Sequence, residues 1–138
     1  MNIEERKALS ETRIFKPVFA SDTNHYSTLH GGVAMKMMDD TAFIAATRFS
    51  RLPVVTVSSD KINFSKPIPE GTIVEVVAKV SELGTTSIKI SVDVFIEQMY
   101  EEKRELAIHG ELTFVALNAN KRPVSIVSHL KELGVEMD

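Results

Sequence analysis

The chain contains no cysteine. That excludes disulfides, thiolate metal sites and a cysteine nucleophile together, and it suits a reducing compartment. No apolar run approaches the roughly 18 residues that a membrane-crossing helix needs. The opening residues, Met1-Asn2-Ile3-Glu4-Glu5-Arg6-Lys7, carry mixed charge and no apolar core, so they do not read as a signal peptide. There is no basic surplus either: the net charge is −3, which argues against a general nucleic-acid binder. A local basic patch on an acidic protein can still take an anionic small ligand. No internal repeat or low-complexity tract is visible. The expectation is a soluble, cytoplasmic protein with neither a membrane nor a nucleic acid as partner.

What is present is ordinary for one domain with a core of its own: 138 residues, 43% hydrophobic and 25% charged. A single domain is expected over 1–138, with residues 1–11 loose or weakly helical and 124–138 a tail or short helix. Thr12 to Phe19 reads as a short strand that Pro17 confines to an edge or an end. Ser, Asp, Thr and Asn make Ala20 to His30 a loop. Gly31 to Ser50 reads as a helix without a polar face, hence one covered on most sides, and Arg51-Leu52-Pro53 stops it. Strand-like segments follow at Val54–Phe64, Thr72–Leu83, Ser87–Met99 and Arg104–Leu117, with turns between them. Apolar residues fall on the even positions 88, 90, 92, 94 and 96 of one strand and 106, 108, 112, 114 and 116 of the next. Such alternation marks antiparallel strands with one buried face. One strand, one long helix, then four strands in a meander give an α+β architecture, the helix lying on one face of an antiparallel sheet. A free sheet edge leaves room for pairing between copies.

The most informative segment is Gly31-Gly32-Val33-Ala34-Met35-Lys36-Met37-Met38-Asp39. A carboxylate on an otherwise apolar helix costs free energy unless it is paired, hydrogen-bonded or used. Near a glycine-rich helix start it is a candidate for acid–base chemistry. Asp40 is the rival carboxylate, about 100° round the helix, and reads as a surface or interface charge. Asn24 in Asp22-Thr23-Asn24 is by default a turn former. Gly31 and Gly32 offer either close helix–loop packing or free N–H groups at the positive end of the helix dipole. His25, His30, His109 and His129 show no metal-ligand spacing, so no metal site is expected, although His30 adjoins the helix start.

Taken in order, Asp22-Thr23-Asn24, Gly31-Gly32 and Met38-Asp39 resemble the active-site segment of hotdog-fold acyl-coenzyme A thioesterases. The resemblance is to the short-chain bacterial and brain-type cytosolic acyl-CoA hydrolases, and it runs from about Thr12 to Pro123. Val54-Val55-Thr56-Val57, Phe64 with Pro67 and Gly71, Gly84-Thr85-Thr86-Ser87 and Phe114-Val115-Ala116-Leu117 extend it. His30-Gly31-Gly32 is similar to the His-Gly-Gly of phenylacetate-pathway hotdog thioesterases, whereas Tyr26-Ser27-Thr28 departs from the Asn-Gly-Asp or Asn-Gly-Asn of the acyl-CoA hydrolases.

The resemblance implies a five-stranded antiparallel sheet wrapped around one central helix. It also implies dimers with sites at the interface, commonly arranged as trimers of dimers. Asp39 would be the catalytic carboxylate, Asn24 would support it from the facing subunit, and the Gly31-Gly32 backbone would bind the thioester carbonyl, with His30 beside the substrate. No cofactor is implied, because coenzyme A belongs to the substrate. Its phosphates call for basic partners. Lys61, Lys66, Lys121 and Arg122 stand at strand ends and turns where such contacts form, though each alone reads as a solvated charge. Gly84, Thr85, Thr86 and Ser87 offer either a hairpin turn or contacts to the pantetheine or phosphates. Met35, Met38 and Phe43 are candidate acyl lining or plain core. A non-catalytic acyl-CoA sensor and a hotdog hydratase or dehydratase are the alternatives.

Overall fold

Alternating apolar residues become strands, and the apolar stretch after Gly31 becomes the one long helix. The computed structural model describes residues 1–137. In chain order it runs α1 (Ile3–Ser10), β1 (Thr12–Pro17), a 3-10 turn at Ala20–Asp22, α2 (Gly31–Ser50), β2 (Val54–Phe64), β3 (Thr72–Leu83), β4 (Ser87–Gln98), β5 (Arg104–Ala116) and α3 (Ile126–Glu132). The five strands form one antiparallel sheet in the order β1-β3-β4-β5-β2. Only β3-β4-β5 is a meander. β2 crosses through residues 65–71 and pairs with β5 on the far side, so a four-strand meander is corrected. This is the hotdog arrangement.

The inner face of the sheet carries Val74, Val76, Ala78, Ile88, Ile90 and Val92, all fully buried. Against it lies α2, with Met38, Ala42, Ala45, Ala46 and Phe49 equally buried. The alanines let the helix backbone approach the strands closely. Gly110 of β5 serves the same contact: a Cβ there would stand 2.8 Å from Ile62 Cγ1 and 3.1 Å from Met38 Cε. Met38 is therefore core. The helix is not covered all round, because Lys36, Asp40, Phe43, Ile44 and Arg48 form an exposed stripe.

Two local features depart from the pattern in the sequence. Residues 1–11 are not loose: Asn2 caps α1 by accepting from Glu5 N at 2.8 Å while Glu5 accepts from Asn2 N, and Ile3 is buried. In β5 a bulge between the pairs Val94–Ile108 and Phe95–Leu106 inserts Ala107, so Leu106 turns to the outer face although its parity matches Ile108. On that outer face Glu75, 3% exposed, is clamped by Arg13 Nη1 and Arg104 Nε at 2.6 Å each. His109 Nδ1 lies 2.6 Å from Asp93 Oδ1 on the same face, away from α2. Among the described residues no helix is long and apolar enough to cross a membrane.

Candidate active site

The loop before α2 closes on itself and docks on the helix start. Asp22 accepts from Lys16 Nζ at 2.6 Å and from Phe19 N at 3.1 Å; these bonds, the lysine's first, hold its carboxyl below the ordinary range. His30 N donates to Asp22 O and Leu29 N to Ile68 O, so both ends of the loop are pinned. At its tip Asn24 Oδ1 accepts from Tyr26 N (2.9 Å), Thr28 N (3.3 Å) and Thr28 Oγ1 (3.1 Å). Two of these donors are backbone N–H groups, which settles which end of the amide faces inward. The Asn24 NH₂ is left with no partner among the described residues. Asn24 is thus both turn former and positioned donor.

At the helix start one glycine N–H is taken and the other is free. His30 is the N-cap of α2, and its Nδ1 accepts from Gly32 N at 3.0 Å. The expectation that Gly31 and Gly32 together hold a carbonyl is corrected: His30 already occupies the Gly32 donor. Gly31 N–H has no partner among the described residues, and a Cβ at Gly31 would meet nothing within 4 Å. Beside it opens a largely apolar pocket of about 240 Å³ between Leu29, Ala34, Phe64, Ile68 and Ile108. Met35, Met38 and Phe43 do not line it.

Asp39 stands eight residues further along α2, about 12 Å along the axis at 1.5 Å per residue. It is half-buried rather than buried. Its Oδ1 accepts from Thr56 Oγ1 of β2 at 2.8 Å, and no cation pairs with it among the described residues. Asp40 is instead bound to Lys36 at 2.7 Å on the exposed stripe, and that bond raises the lysine's pKa. Thr56 sits beside a register shift that separates it from Ser58, a local re-aiming of β2 next to the carboxylate. In the sequence Thr56 stands out only as part of a strand and of the segment Val54-Val55-Thr56-Val57 that extends the resemblance, with no role of its own. A hydroxyl in the run Val54-Val55-Thr56-Val57 was the available signal.

The basic and hairpin residues fall at two ends of the sheet. Lys66 follows β2 near the apolar pocket and pairs with Glu105 at 2.6 Å. Lys61 is exposed, with a φ of 53° inside the second irregularity of β2. At the other end, Thr86 O accepts from Ala116 N and Thr85 O from Ile126 N, tying the hairpin to the chain after β5. A Cβ at Gly84 would stand 2.6 Å from Ser87 Oγ, so any larger residue there would turn the serine hydroxyl aside. Lys121 and Arg122 lie in a turn at this same end, its backbone held by Asn118. Phe64 pairs with Ile108 and Val54 with Ala116, so the ends lie about 26 Å apart at 3.3 Å per residue. One chain therefore brings Gly31 and Lys66 to one pocket, with His30 capping the helix beside it and Asn24 on the loop that leads into it. It places Asp39 with Thr56 two helical turns away, and Gly84–Ser87 with Lys121 and Arg122 at the far end.

β2 is an edge strand, and three of its apolar residues are bare: Val55, Val57 and Phe64 are 45%, 54% and 56% exposed. Phe43 and Ile44 of α2 are likewise exposed.

Residues 26–103 match the model of the thioesterase superfamily. An uncharacterized acyl-CoA thioester hydrolase of Bacillus subtilis is 39% identical over 99% of this chain and 81% of its own length. The acyl-CoA hydrolase of Staphylococcus aureus, solved with butyryl coenzyme A, coenzyme A and coenzyme A disulfide, is 38% identical; the match covers 86% of this chain and 73% of that one, with a TM-score of 0.83. Alanine variants of that enzyme have been solved at an aspartate, an asparagine and a threonine. The asparagine lies as far before that aspartate as Asn24 lies before Asp39, and the threonine as far after it as Thr56 does here. A hexameric broad-specificity acyl-coenzyme A thioesterase is 30% identical over 86% of this chain and 91% of that one, with a TM-score of 0.78. By family model, sequence and fold together, the chain belongs to the thioesterase superfamily, among its acyl-CoA thioester hydrolases.

Proposed function

We propose that the protein hydrolyses acyl-CoA at a site shared by two copies, with Asn24 and Gly31 from one subunit and Asp39 with Thr56 from its partner. The observation that carries this is the eight residues of α2 between Gly31 and Asp39, about 12 Å along the axis. A carbonyl carbon within reach of the Gly31 N–H is out of reach of the same chain's Asp39. A two-fold pairing of β2 edges runs the strands antiparallel. It sets the helix start of one copy towards the middle of the other's α2, and it covers Val55, Val57, Phe43 and Ile44. The same operation brings the Lys66 end of one chain towards the Gly84–Ser87, Lys121 and Arg122 end of the other, the two regions between which coenzyme A would stretch.

The chemistry needs no metal and no further cofactor. Thr56 holds Asp39 Oδ1, which leaves Oδ2 to accept a proton from water as the water oxygen bonds to the thioester carbon. The Gly31 N–H receives the developing oxyanion, and the Asn24 NH₂ orients the water or the carbonyl. The C–S bond then breaks, and coenzyme A leaves with the proton. The apolar pocket beside Gly31 takes the acyl chain. The hexameric relative supports a trimer of such dimers, and the absence of cysteine suits the cytoplasm.

Thiol release from a series of acyl-CoA esters tests the reading. Wild type turns over, and Asp39→Ala loses about 10²–10⁴-fold in kcat with its fold intact. Wild type that binds acyl-CoA but releases no thiol across the series would leave a sensor rather than an enzyme.

A further inference from the structure

Apart from the site just described, one concave surface gathers like charge. α1 packs on the last turn of α2, and Arg6, Arg48 and Arg51 line a pocket of about 190 Å³ with Leu9 and Ser10. Two of the three guanidiniums are fixed by the backbone. Arg6 Nε donates to Phe49 O at 2.9 Å, and its Nη2 lies 3.4 Å from Arg48 O. Arg48 donates through Nη1 to Glu11 O and Thr12 Oγ1 and through Nη2 to Leu9 O. The Arg51 side chain makes no hydrogen bond among the described residues. Its backbone is the left-handed C-cap of α2, φ 54°, a place that glycine takes more readily.

Among the described residues no carboxylate pairs with any of the three. Glu11, whose carbonyl Arg48 holds, turns its side chain to Arg13 at 2.9 Å and Lys79 at 3.7 Å. By contrast, Arg13 and Arg104 are both paired with Glu75. Burial first, and then the charge of Arg51, holds the Arg6 guanidinium below its ordinary value. Three positive charges with unspent fork donors, in an acidic protein and without an acidic partner, are a receptor for a compact anion of high charge.

We infer that Arg6, Arg48 and Arg51 form a binding site for a phosphoryl group, with Arg6 and Arg48 held as the floor and Arg51 closing on the ligand. A phosphate dianion offers three oxygens to guanidinium forks. The pocket is large enough for one or two phosphoryl groups and too small for a whole nucleotide. The group comes either from the 3′-phosphate of coenzyme A or from a separate phosphorylated metabolite.

The test uses the full chain and inorganic pyrophosphate as probe, read by calorimetry, with Arg51→Gln as the main variant because that side chain makes no hydrogen bond or ion pair among the described residues. Lys131→Gln, on α3, controls for net charge. Wild type binds pyrophosphate, Arg51→Gln binds it about tenfold or more weakly, and Lys131→Gln matches wild type. No binding at millimolar pyrophosphate, or an equal loss in both variants, overturns the site. KM for butyryl-CoA and for butyryl-dephospho-CoA then names the source. Arg51→Gln raises the first alone if the 3′-phosphate sits here, and neither if the ligand is separate. Binding is measured without substrate, so the site can fail while hydrolysis stands, and the reverse.

Discussion

Thr56 Oγ1 donates a 2.8 Å hydrogen bond to Asp39 Oδ1, joining the middle of α2 to the edge strand β2. It is the one side-chain bond that fixes the carboxylate among the described residues. Thr56→Val removes the donor at nearly constant shape, and kcat is expected to fall about 10- to 100-fold, as for loss of one hydrogen bond to a charged group. Thr56→Ser keeps the hydroxyl and recovers most of the rate. Steady-state kinetics on the two variants separates positioning of Asp39 from packing on β2.

Gly31→Pro isolates the free N–H. Gly31 is the first residue of α2, where proline is tolerated, and His30 before it has the extended backbone (φ −62°, ψ 131°) that proline demands. A Cβ there meets nothing. The melting temperature is expected to hold or rise slightly, while kcat falls about 10²–10³-fold through loss of the oxyanion donor. Unchanged kcat would remove Gly31 from the mechanism.

Ala34 stands on α2 where the apolar pocket meets the core. Ala34→Leu fills part of the 240 Å³, and the loss in kcat/KM is expected to grow with acyl length while acetyl-CoA is least affected. An equal loss at every length would place the acyl chain elsewhere.

Gly110→Ala puts a methyl group 2.8 Å from Ile62 Cγ1 and 3.1 Å from Met38 Cε. Both neighbours must shift, and a destabilisation of about 1–3 kcal/mol in chemical denaturation is expected.

The glycine that interrupts β5 was visible in the sequence; its reason was not, because Met38 and Ile62 come from other elements. The same holds more widely. Ile88 to Ile96 announced β4 because a strand against one helix must alternate. The bulge at Ala107 was hidden because Leu106 is apolar and keeps the parity of Ile108, and only pairing with Phe95 shows that it faces outward. The partner of β2 was equally hidden, since nothing local in Val54–Phe64 specifies β5 over β3. In the site, Asp39, Asn24 and Gly31 were legible as residue types in order. The bond from Gly32 N to His30 Nδ1, and the clustering of Arg6 with Arg48 and Arg51, depend on rotamers and helix packing that no spacing encodes.

Mixing two inactive variants tests the shared site most directly. Asp39→Ala and Asn24→Ala homo-oligomers are each expected to be nearly inactive. Unfolded and refolded together, half of the dimers are mixed, and each mixed dimer carries one site with Asn24 from one chain and Asp39 from the other, both intact. About a quarter of wild-type thiol release is expected to return, by random pairing of equal amounts. If the mixture stays as inactive as its components although mixed dimers form, Asn24 and Asp39 act within one chain and the site is not shared.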